Sequence, residues 1–268
     1  MAEQRVSITM ESNGVAQVRL TRADKLNALD PAMFDAIEDA GHQLRTDKSL
    51  RAVVLSGEGR AFSAGLDFPS FTSLPADDPN GDLLASRDYM PANRAQSAAY
   101  VWISLPVPVI AAVHGYAFGG GLQIALGADI RFVSPDAELS VMEMKWGLIP
   151  DMTGTQTLRH LVPMDVAKEL TFTARRVAGE EAVRIGLATH CVDNPLEAAT
   201  QLADEIAGKS PQAVRAAKRL IARAYTAEPV EGLQLEEGIQ RTLLGSKNQT
   251  EAVMANMEKR TPDFEDID

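Results

Sequence analysis

The chain has 268 residues, of which 45% are hydrophobic and 24% are charged, the balance of an ordinary soluble globular protein. Its formal net charge is −11 at pH 7 and no basic stripe is present, which argues against nucleic acid and anionic membranes as main partners. The single cysteine, Cys191, cannot form a disulfide within the chain. We therefore expect an intracellular, cytoplasmic protein.

Two stretches were candidates for targeting or membrane segments. Residues 1–14 lack the apolar stretch of a signal peptide, so we expect none. The longest apolar run, 105–113, is short and contains two prolines, so we predict no membrane span.

The first predicted elements are a strand, a helix and a second strand. Residues 15–22 alternate apolar and polar side chains, as in a half-buried strand. Asp30 and Pro31 suit the N-cap and the first position of a helix. Apolar residues then recur at helical spacing: Met33, Ile37, Ala40 and Leu44. Residues 51–57 predict a β-branched strand that ends in glycine.

A long polar segment separates these elements from the next strands. Residues 69–94 are rich in Pro, Asp, Asn and Ser, and we predict a mobile surface loop. Strands follow at 107–115 and 130–135, with a short helix between them after the glycines 119–121.

From Pro195 onward the pattern predicts one helix after another, and Ser210–Pro211 suits the start of one of them. We therefore predict two regions, an α/β core over 1–194 and a helical C-terminal region over 195–268.

One internal repeat predicts a more particular fold. "GRAFSAGLDF" (59–68) and "GYAFGGGLQI" (115–124) align without gaps, 56 residues apart, and each follows a β-rich strand. Two copies of one strand–turn–helix unit indicate a coiled superhelix of repeats. Chance similarity between two turns rich in Gly and Ala is the alternative.

The Gly- and Ala-rich turns have a functional and a structural interpretation. A turn without bulky side chains lets a ligand approach the backbone, and the N–H groups at a helix start have no intrahelical partner. Two such turns side by side can direct two N–H groups at one oxygen, an oxyanion hole in which each donor contributes about 3–4 kcal/mol. The alternatives are tight helix packing and a phosphate site, although neither turn has the residues of a P-loop or of a G-x-G-x-x-G motif.

Ordered motifs give the chain a family resemblance. "AFSAGLDF" (61–68), "PVIAAVHGYAFGGG" (108–121) and "GLIPDMTGTQTL" (147–158) together resemble the crotonase superfamily, the enoyl-CoA hydratase/isomerase fold. The similarity extends from "RADKLNALD" (22–30) to "EKRTPDF" (258–264).

The resemblance implies a spiral of ββα repeats and a C-terminal helical region that packs a homotrimer or a dimer of trimers. It implies an acyl-CoA substrate and no separate cofactor, because coenzyme A is part of the substrate. We predict no metal site.

The resemblance also implies roles for particular residues. The backbone N–H groups of Leu66 and Gly120 would form the oxyanion hole. Residues expected against the nucleotide end of CoA are Lys25, Leu26, Ala64, Asp67 and Phe68. Lys259 and Phe264 would help to cover CoA, from a neighbouring subunit. By sequence alone, Lys25 and Lys259 are more typical of solvated surface lysines than of substrate contacts.

The proton chemistry depends on two positions. Hydratases of this superfamily carry two glutamates, where this chain has Gln123 and Glu143, and we expect Gln123 to contact substrate. An amide exchanges no proton at neutral pH, and hydration needs a water held between two carboxylates. Isomerisation of a double bond needs only one carboxylate. We therefore predict an isomerase with Glu143 as proton shuttle. The alternatives are an enoyl-CoA hydratase, and an acyl-CoA-binding protein without catalysis in which Glu143 is a surface residue.

Asp151 is a candidate second acid beside Glu143. Dienoyl-CoA isomerases of the superfamily have an aspartate at the position of Asp151, which is otherwise typical of a turn or N-cap. Met142, Met144 and Trp146 suit an apolar wall for the acyl chain, or simply a core. We expect a structural role for His114 and no catalytic role for Cys191.

Overall fold

Strands and helices alternate through the first two thirds of the chain, and helices follow one another in the last third. The computed structural model describes residues 4–73, 78, 82–86 and 91–267. Its strands are β1 (Val6–Met10), β2 (Val15–Leu20), β3 (Ala52–Gly57), β4 (Val109–Val113), β5 (Tyr116–Phe118), β6 (Ile130–Val133), β7 (Glu138–Ser140), β8 (Val177–Ala178) and β9 (His190–Cys191). Its helices are α1 (Pro31–Thr46), α2 (Phe68–Thr72), α3 (Arg94–Ser104), α4 (Gly120–Leu126), α5 (Gly154–Leu161), α6 (Met164–Thr173), α7 (Gly179–Arg184), α8 (Pro195–Ala207), α9 (Pro211–Ala224), α10 (Pro229–Leu243) and α11 (Lys247–Glu258). Short 3-10 helices cover Ala23–Lys25 and Met142–Trp146.

The larger sheet has the strand order β1-β2-β3-β4-β6-β9. Only the β1–β2 pair within it is antiparallel among the described residues, and the other neighbours run parallel. Every residue of β3 and β4 is buried, as expected for central parallel strands covered on both faces. The predicted strands at 15–22, 51–57, 107–115 and 130–135 are all confirmed, whereas β1 had no prediction.

Successive turns of the chain stack on one another beside this sheet. After β3, Ser63 forms a parallel bridge with Ala117 in β5, and Ala117 pairs in parallel with Leu139 in β7. The turns of β4 and β6 therefore each add one strand to the large sheet and one short strand to a second layer, and the turn after β3 contributes the Ser63 bridge. This stacking is the predicted superhelix of repeats.

The helix predictions depended on end signals, and the structure confirms them. The Asp30 carboxylate accepts a 2.8 Å hydrogen bond from the Met33 N–H, with Pro31 as the first residue of α1. The predicted apolar face of α1 is buried against the core. Ser210 caps α9 in the same way, by accepting from the Ala213 N–H.

The first helix after residue 194 belongs by packing to the sheet. Ala199 and Ala203 of α8 are fully buried against Val54 of β3 and Ile110 of β4. The division into 1–194 and 195–268 remains a prediction. Within the described residues, no helix combines the length and apolar composition that a membrane crossing requires.

The predicted loop at 69–94 is wrong at its start. Residues 69–72 belong to α2, where Pro69 occupies an early helical position that its fixed φ favours. Arg94 at the other end begins α3, which Asn93 and Gln96 stabilise through a capping box. Residues 74–77, 79–81 and 87–90 of this segment lie outside the described part.

Candidate active site

The two predicted N–H donors, Leu66 and Gly120, lie on two turns of the chain that contact each other. The Leu29 N–H donates to Gly65 O and the Asp67 N–H donates to Leu29 O, so the N–H of the intervening Leu66 points away from Leu29. Gly120 is the first residue of α4, and an N–H at that position has no partner within its helix. A β-carbon on Gly65 would lie 3.7 Å from the Gly120 nitrogen, so the two turns are in contact.

The register of the stacked turns explains this pairing. Leu66 and Gly120 are 54 residues apart, the same separation as the bridged pair Ser63 and Ala117. The internal repeat aligns residues 56 apart. The bridge is therefore offset by two residues from the sequence alignment, and Leu66 and Gly120 have the same offset.

Glu143 lines the same cavity as Leu66 and Gly120. It lies in the 3-10 helix after β7, and the residue is only 8% exposed. Burial raises its pKa above the usual value, and the field of Asp151 adds to this. Hydrogen bonds from its own backbone N–H and from Gln123 act in the opposite direction. Its Oε2 is buried without a hydrogen-bond partner in the described part of the chain.

The Gln123 side chain is hydrogen-bonded to the Glu143 carboxylate on the side away from the cavity. Its Nε2 donates a 2.6 Å hydrogen bond to Glu143 Oε1, and its Oε1 accepts from the N–H groups of Met152 and Gly154 at 2.8 and 2.9 Å. Gln123 is 2% exposed and does not line the cavity, although it was predicted to contact substrate. An acyl group in the cavity can therefore contact only the side chains that line it, and Gln123 is not among them.

Asp151 lies in the turn before α5 and lines the cavity. The N-cap of α5 is Thr153, so the N-cap alternative for Asp151 is wrong. Asp151 has an exposed face, and the burial of the rest of its carboxylate raises its pKa. Two carboxyl groups with raised pKa values thus border one cavity.

The cavity has a volume of about 310 Å³ and is mainly apolar. It contains all four predicted catalytic positions: Leu66, Gly120, Glu143 and Asp151. It also contains four predicted substrate contacts: Ala64, Phe68, Met142 and Trp146. The Phe68 and Trp146 rings pack with centroids 4.8 Å apart, and Trp146 is 54% exposed, as suits the rim of the cavity.

The other predicted substrate contacts lie outside this cavity. Lys25 is exposed at the end of its 3-10 helix, and the next residue, Leu26, accepts a hydrogen bond from the Ala64 N–H. Asp67 forms an ion pair with Arg22 at 2.6 Å. Although burial acts to raise the pKa of Asp67, hydrogen bonds from Ser70 and Arg22 lower it overall.

The two C-terminal residues are also outside the cavity. Lys259 is exposed beyond α11, and Phe264 lines a separate cavity near Arg51 and Gly14. The structure therefore brings neither residue to Glu143 within one chain. His114 Nε2 donates a 2.9 Å hydrogen bond to Gly59 O, which links two turns of the chain and fits its expected structural role.

Several cavity residues had no functional prediction: Phe34, Leu83, Ala95, Phe118, Leu148 and Met152. Phe34 adjoins the apolar face predicted for α1, and no helix was predicted over α3. An apolar helix face by itself does not distinguish a cavity wall from solid core. Among the described residues, no group of three or more His, Cys, Asp or Glu side chains could hold a metal ion.

Comparison with known proteins gives one consistent result. The family model for enoyl-CoA hydratase/isomerase matches residues 10–267. A probable enoyl-CoA hydratase of Bacillus subtilis is 34% identical over 241 residues, which are 89% of this chain and 90% of that protein. The mitochondrial methylglutaconyl-CoA hydratase of Mus musculus is 31% identical over 95% of this chain and 80% of its own length.

The fold matches as well. The crystal structure of an enoyl-CoA hydratase from Bacillus anthracis superposes with a TM-score of 0.89 at 31% identity, covering 97% of this chain and 99% of that one. This match confirms the predicted spiral α/β fold with C-terminal helices.

Proposed function

Because the chain belongs to the enoyl-CoA hydratase/isomerase family of enzymes, we propose that it moves a carbon–carbon double bond in an enoyl-CoA, from the 3-position to the 2-position. The N–H groups of Leu66 and Gly120 hold the thioester oxygen. Glu143 Oε2 removes a proton from C2, and the electrons of that C–H bond delocalise onto the held oxygen as a dienolate. Glu143 then returns the proton to C4, which leaves the double bond between C2 and C3.

The observation that carries this proposal is the 2.6 Å hydrogen bond from Gln123 to Glu143. The position where hydratases of the superfamily carry a second glutamate holds an amide, which donates to Glu143 and exchanges no proton. One carboxylate whose Oε2 has no hydrogen-bond partner among the described residues suits a proton shuttle. A single carboxylate is less suited to hydration, because activation of the water needs an acid and a base together.

The raised pKa of Glu143 supports the same role. Burial makes the carboxylate a stronger base than one in water, which favours removal of a weakly acidic C2 proton. The apolar lining also excludes water from the dienolate, which strengthens its hydrogen bonds to the two N–H groups.

Isomerisation of a 3,5-dienoyl-CoA is a second candidate. Asp151 lines the same cavity as Glu143, and the Asp151 charge raises the pKa of Glu143. Two carboxyl groups at different positions along a conjugated chain can donate and accept protons at its two ends.

Hydration of a 2-enoyl-CoA is the other alternative. The relatives described above are named hydratases, which supports it. In that case the water would need Glu143 together with a group other than Gln123.

The substrate proposal follows from the family. Coenzyme A enters as part of the substrate, and the proposed steps use no other cofactor. We expect Lys25, Leu26 and Asp67 near its nucleotide end. Lys259 and Phe264 would reach it from a neighbouring subunit of a homotrimer or a dimer of trimers.

The deciding experiment supplies 2-enoyl-, 3-enoyl- and 3,5-dienoyl-CoA separately and follows the products by absorbance and mass. We expect 3-enoyl-CoA to be converted to 2-enoyl-CoA, and Gln123→Glu to increase hydration. Hydration of 2-enoyl-CoA without any double-bond shift would contradict the proposal. If no substrate reacts and Glu143→Ala changes only binding, the chain is an acyl-CoA-binding protein without catalysis.

A further inference from the structure

The orientation of the Gln123 amide follows from its partners. Two backbone N–H groups, of Met152 and Gly154, point at one end of the side chain. Both are donors, so this end must be the carbonyl oxygen. The amide nitrogen therefore faces Glu143, whose Oε1 accepts its hydrogen bond at 2.6 Å.

The turn that presents these two N–H groups is strained. Thr153 lies between them with φ of 69°, a left-handed conformation that is rare for a β-branched residue. Thr153 Oγ1 is buried with no hydrogen-bond partner in the described residues, so its side chain does not compensate for the strain. The hydrogen bonds from Met152 and Gly154 to the Gln123 oxygen hold this backbone on both sides of Thr153, and the Thr153 carbonyl accepts from the N–H groups of Gln156 and Thr157.

Close packing fixes the Gln123 amide from the side of this turn. A β-carbon on Gly154 would come within 2.6 Å of Gln123 Oε1, so only glycine leaves room for the amide there. On the other side of Glu143, a β-carbon on Gly119 would lie 3.3 Å from Glu143 Oε1. Oε1 of Glu143 thus lies between Gln123 and Gly119, whereas Oε2, which is also buried, has no hydrogen-bond partner in the described part of the chain.

We infer that Gln123 is a positioning residue that connects Glu143 to the turn bearing Asp151, and that it selects Oε2 of Glu143 as the oxygen that exchanges protons with substrate. This inference rests on the proposed role of Glu143. It extends that role, because residue 123 then has a task that a carboxylate could not perform at the same time. A carboxylate there would accept from both N–H groups of the turn, but when ionised it could not donate to Glu143.

Two substitutions distinguish the role of the Gln123 amide oxygen from that of the amide nitrogen. Gln123→Glu keeps the acceptor for Met152 and Gly154, and it donates to Glu143 only when the pair holds a shared proton. Gln123→Met keeps similar volume and removes both ends. Gln156→Met, on the exposed surface of α5, is the matched control because it makes the same change away from Glu143.

The test is a pH titration by NMR of protein with 13C-labelled glutamate carboxyl groups, in which the Glu143 signal is identified by its loss in Glu143→Gln. Asp151 is the charged residue of the described chain whose field acts on Glu143, so each titration is repeated with Asp151→Asn. We expect Gln123→Met to raise the pKa of Glu143, since the carboxylate loses a donor. We expect Gln123→Glu to give two coupled titrations shared by the pair.

Kinetics supply the second readout. With the substrate that the wild type converts, we expect Gln123→Met to lower kcat on the order of 10–100-fold with a smaller effect on KM. For Gln123→Glu we expect a new loss of activity at high pH, where the shared proton dissociates.

The inference is overturned if Glu143 titrates identically in the wild type and in both variants, or if kcat follows only the loss of thermal stability. The NMR measurement requires no substrate. A protein that hydrates, or that converts nothing, would therefore contradict the proposed isomerisation and still give a clear result for Gln123.

Discussion

The α-carbon of Gly65 lies against the carbonyl oxygen of Phe118, and a β-carbon on Gly65 would come within 2.6 Å of that oxygen. Gly65 also has φ of +86°, which L side chains rarely adopt. The contact holds the turn of Leu66 beside the start of α4. Any side chain at position 65 must push the two turns apart.

This contact predicts the effect of Gly65→Ala. We expect kcat to fall about 100-fold or more, because separation of the turns displaces one of the two N–H donors. Gly245→Ala is the control: it has a similar φ of +75° but open space around its β-carbon. Steady-state kinetics and thermal unfolding of both variants check the prediction. Equal activity in the two variants would refute the role of the Leu66 N–H.

Glu143→Gln tests the proton shuttle. The new amide can still accept from Gln123, so we expect the fold to persist while kcat falls about 100- to 10,000-fold. The measurement is isomerisation of 3-enoyl-CoA, with exposed Glu180→Gln as the control. Retention of more than a tenth of the wild-type kcat would exclude Glu143 as the shuttle.

The same substitution should change stability in a pH-dependent way. The pKa of Glu143 is raised in the folded state, so its protonated form is favoured there. Its contribution to stability is therefore fully present below the unfolded pKa of about 4.3 and is lost as pH rises through the folded pKa. We expect Glu143→Gln to gain stability relative to wild type between pH 5 and pH 8. Denaturant titrations across this range measure it, and a difference independent of pH would contradict it.

Asp151→Asn separates the two isomerase alternatives. With Glu143 as sole shuttle, we expect the rate for 3-enoyl-CoA to change by less than about threefold, whereas the rate for 3,5-dienoyl-CoA falls about 100-fold. The pKa of Glu143 should also fall, because the Asp151 charge raises it. Asp136→Asn, at an exposed turn, is the control. Equal losses with both substrates would make Asp151 part of the common mechanism.

Trp146→Ala tests the rim of the cavity. Truncation of Trp146 removes apolar surface that lines the cavity and the ring that packs against Phe68, so we expect KM to rise about 2- to 10-fold with little change in kcat. Tyr225→Ala, at another exposed aromatic residue, is the control. An unchanged KM would place substrate away from this rim.

Local signals predicted much of the fold. The cap at Asp30, the spacing along α1 and the alternation of β2 depend on residues close together in the chain, so their physical effect is visible in the sequence. The loop prediction for 69–94 was wrong at its start because it gave polar composition more weight than the helix-starting effect of Pro69. The repeat indicated that two turns are alike, but not by how many residues their strands are offset.

The sequence by itself determined the spiral fold and the residues available for chemistry: glycines at 119–121, an amide at Gln123 and a carboxylate at Glu143. Only the tertiary structure decided their relations. It paired Ser63 with Ala117 and placed the turn of Leu66 against the start of α4 at Gly120. It also turned Gln123 away from the cavity to join Glu143 with the Thr153 turn. The physical reason is that register and side-chain hydrogen bonds depend on contacts between segments distant in the chain, and composition and spacing do not specify these contacts.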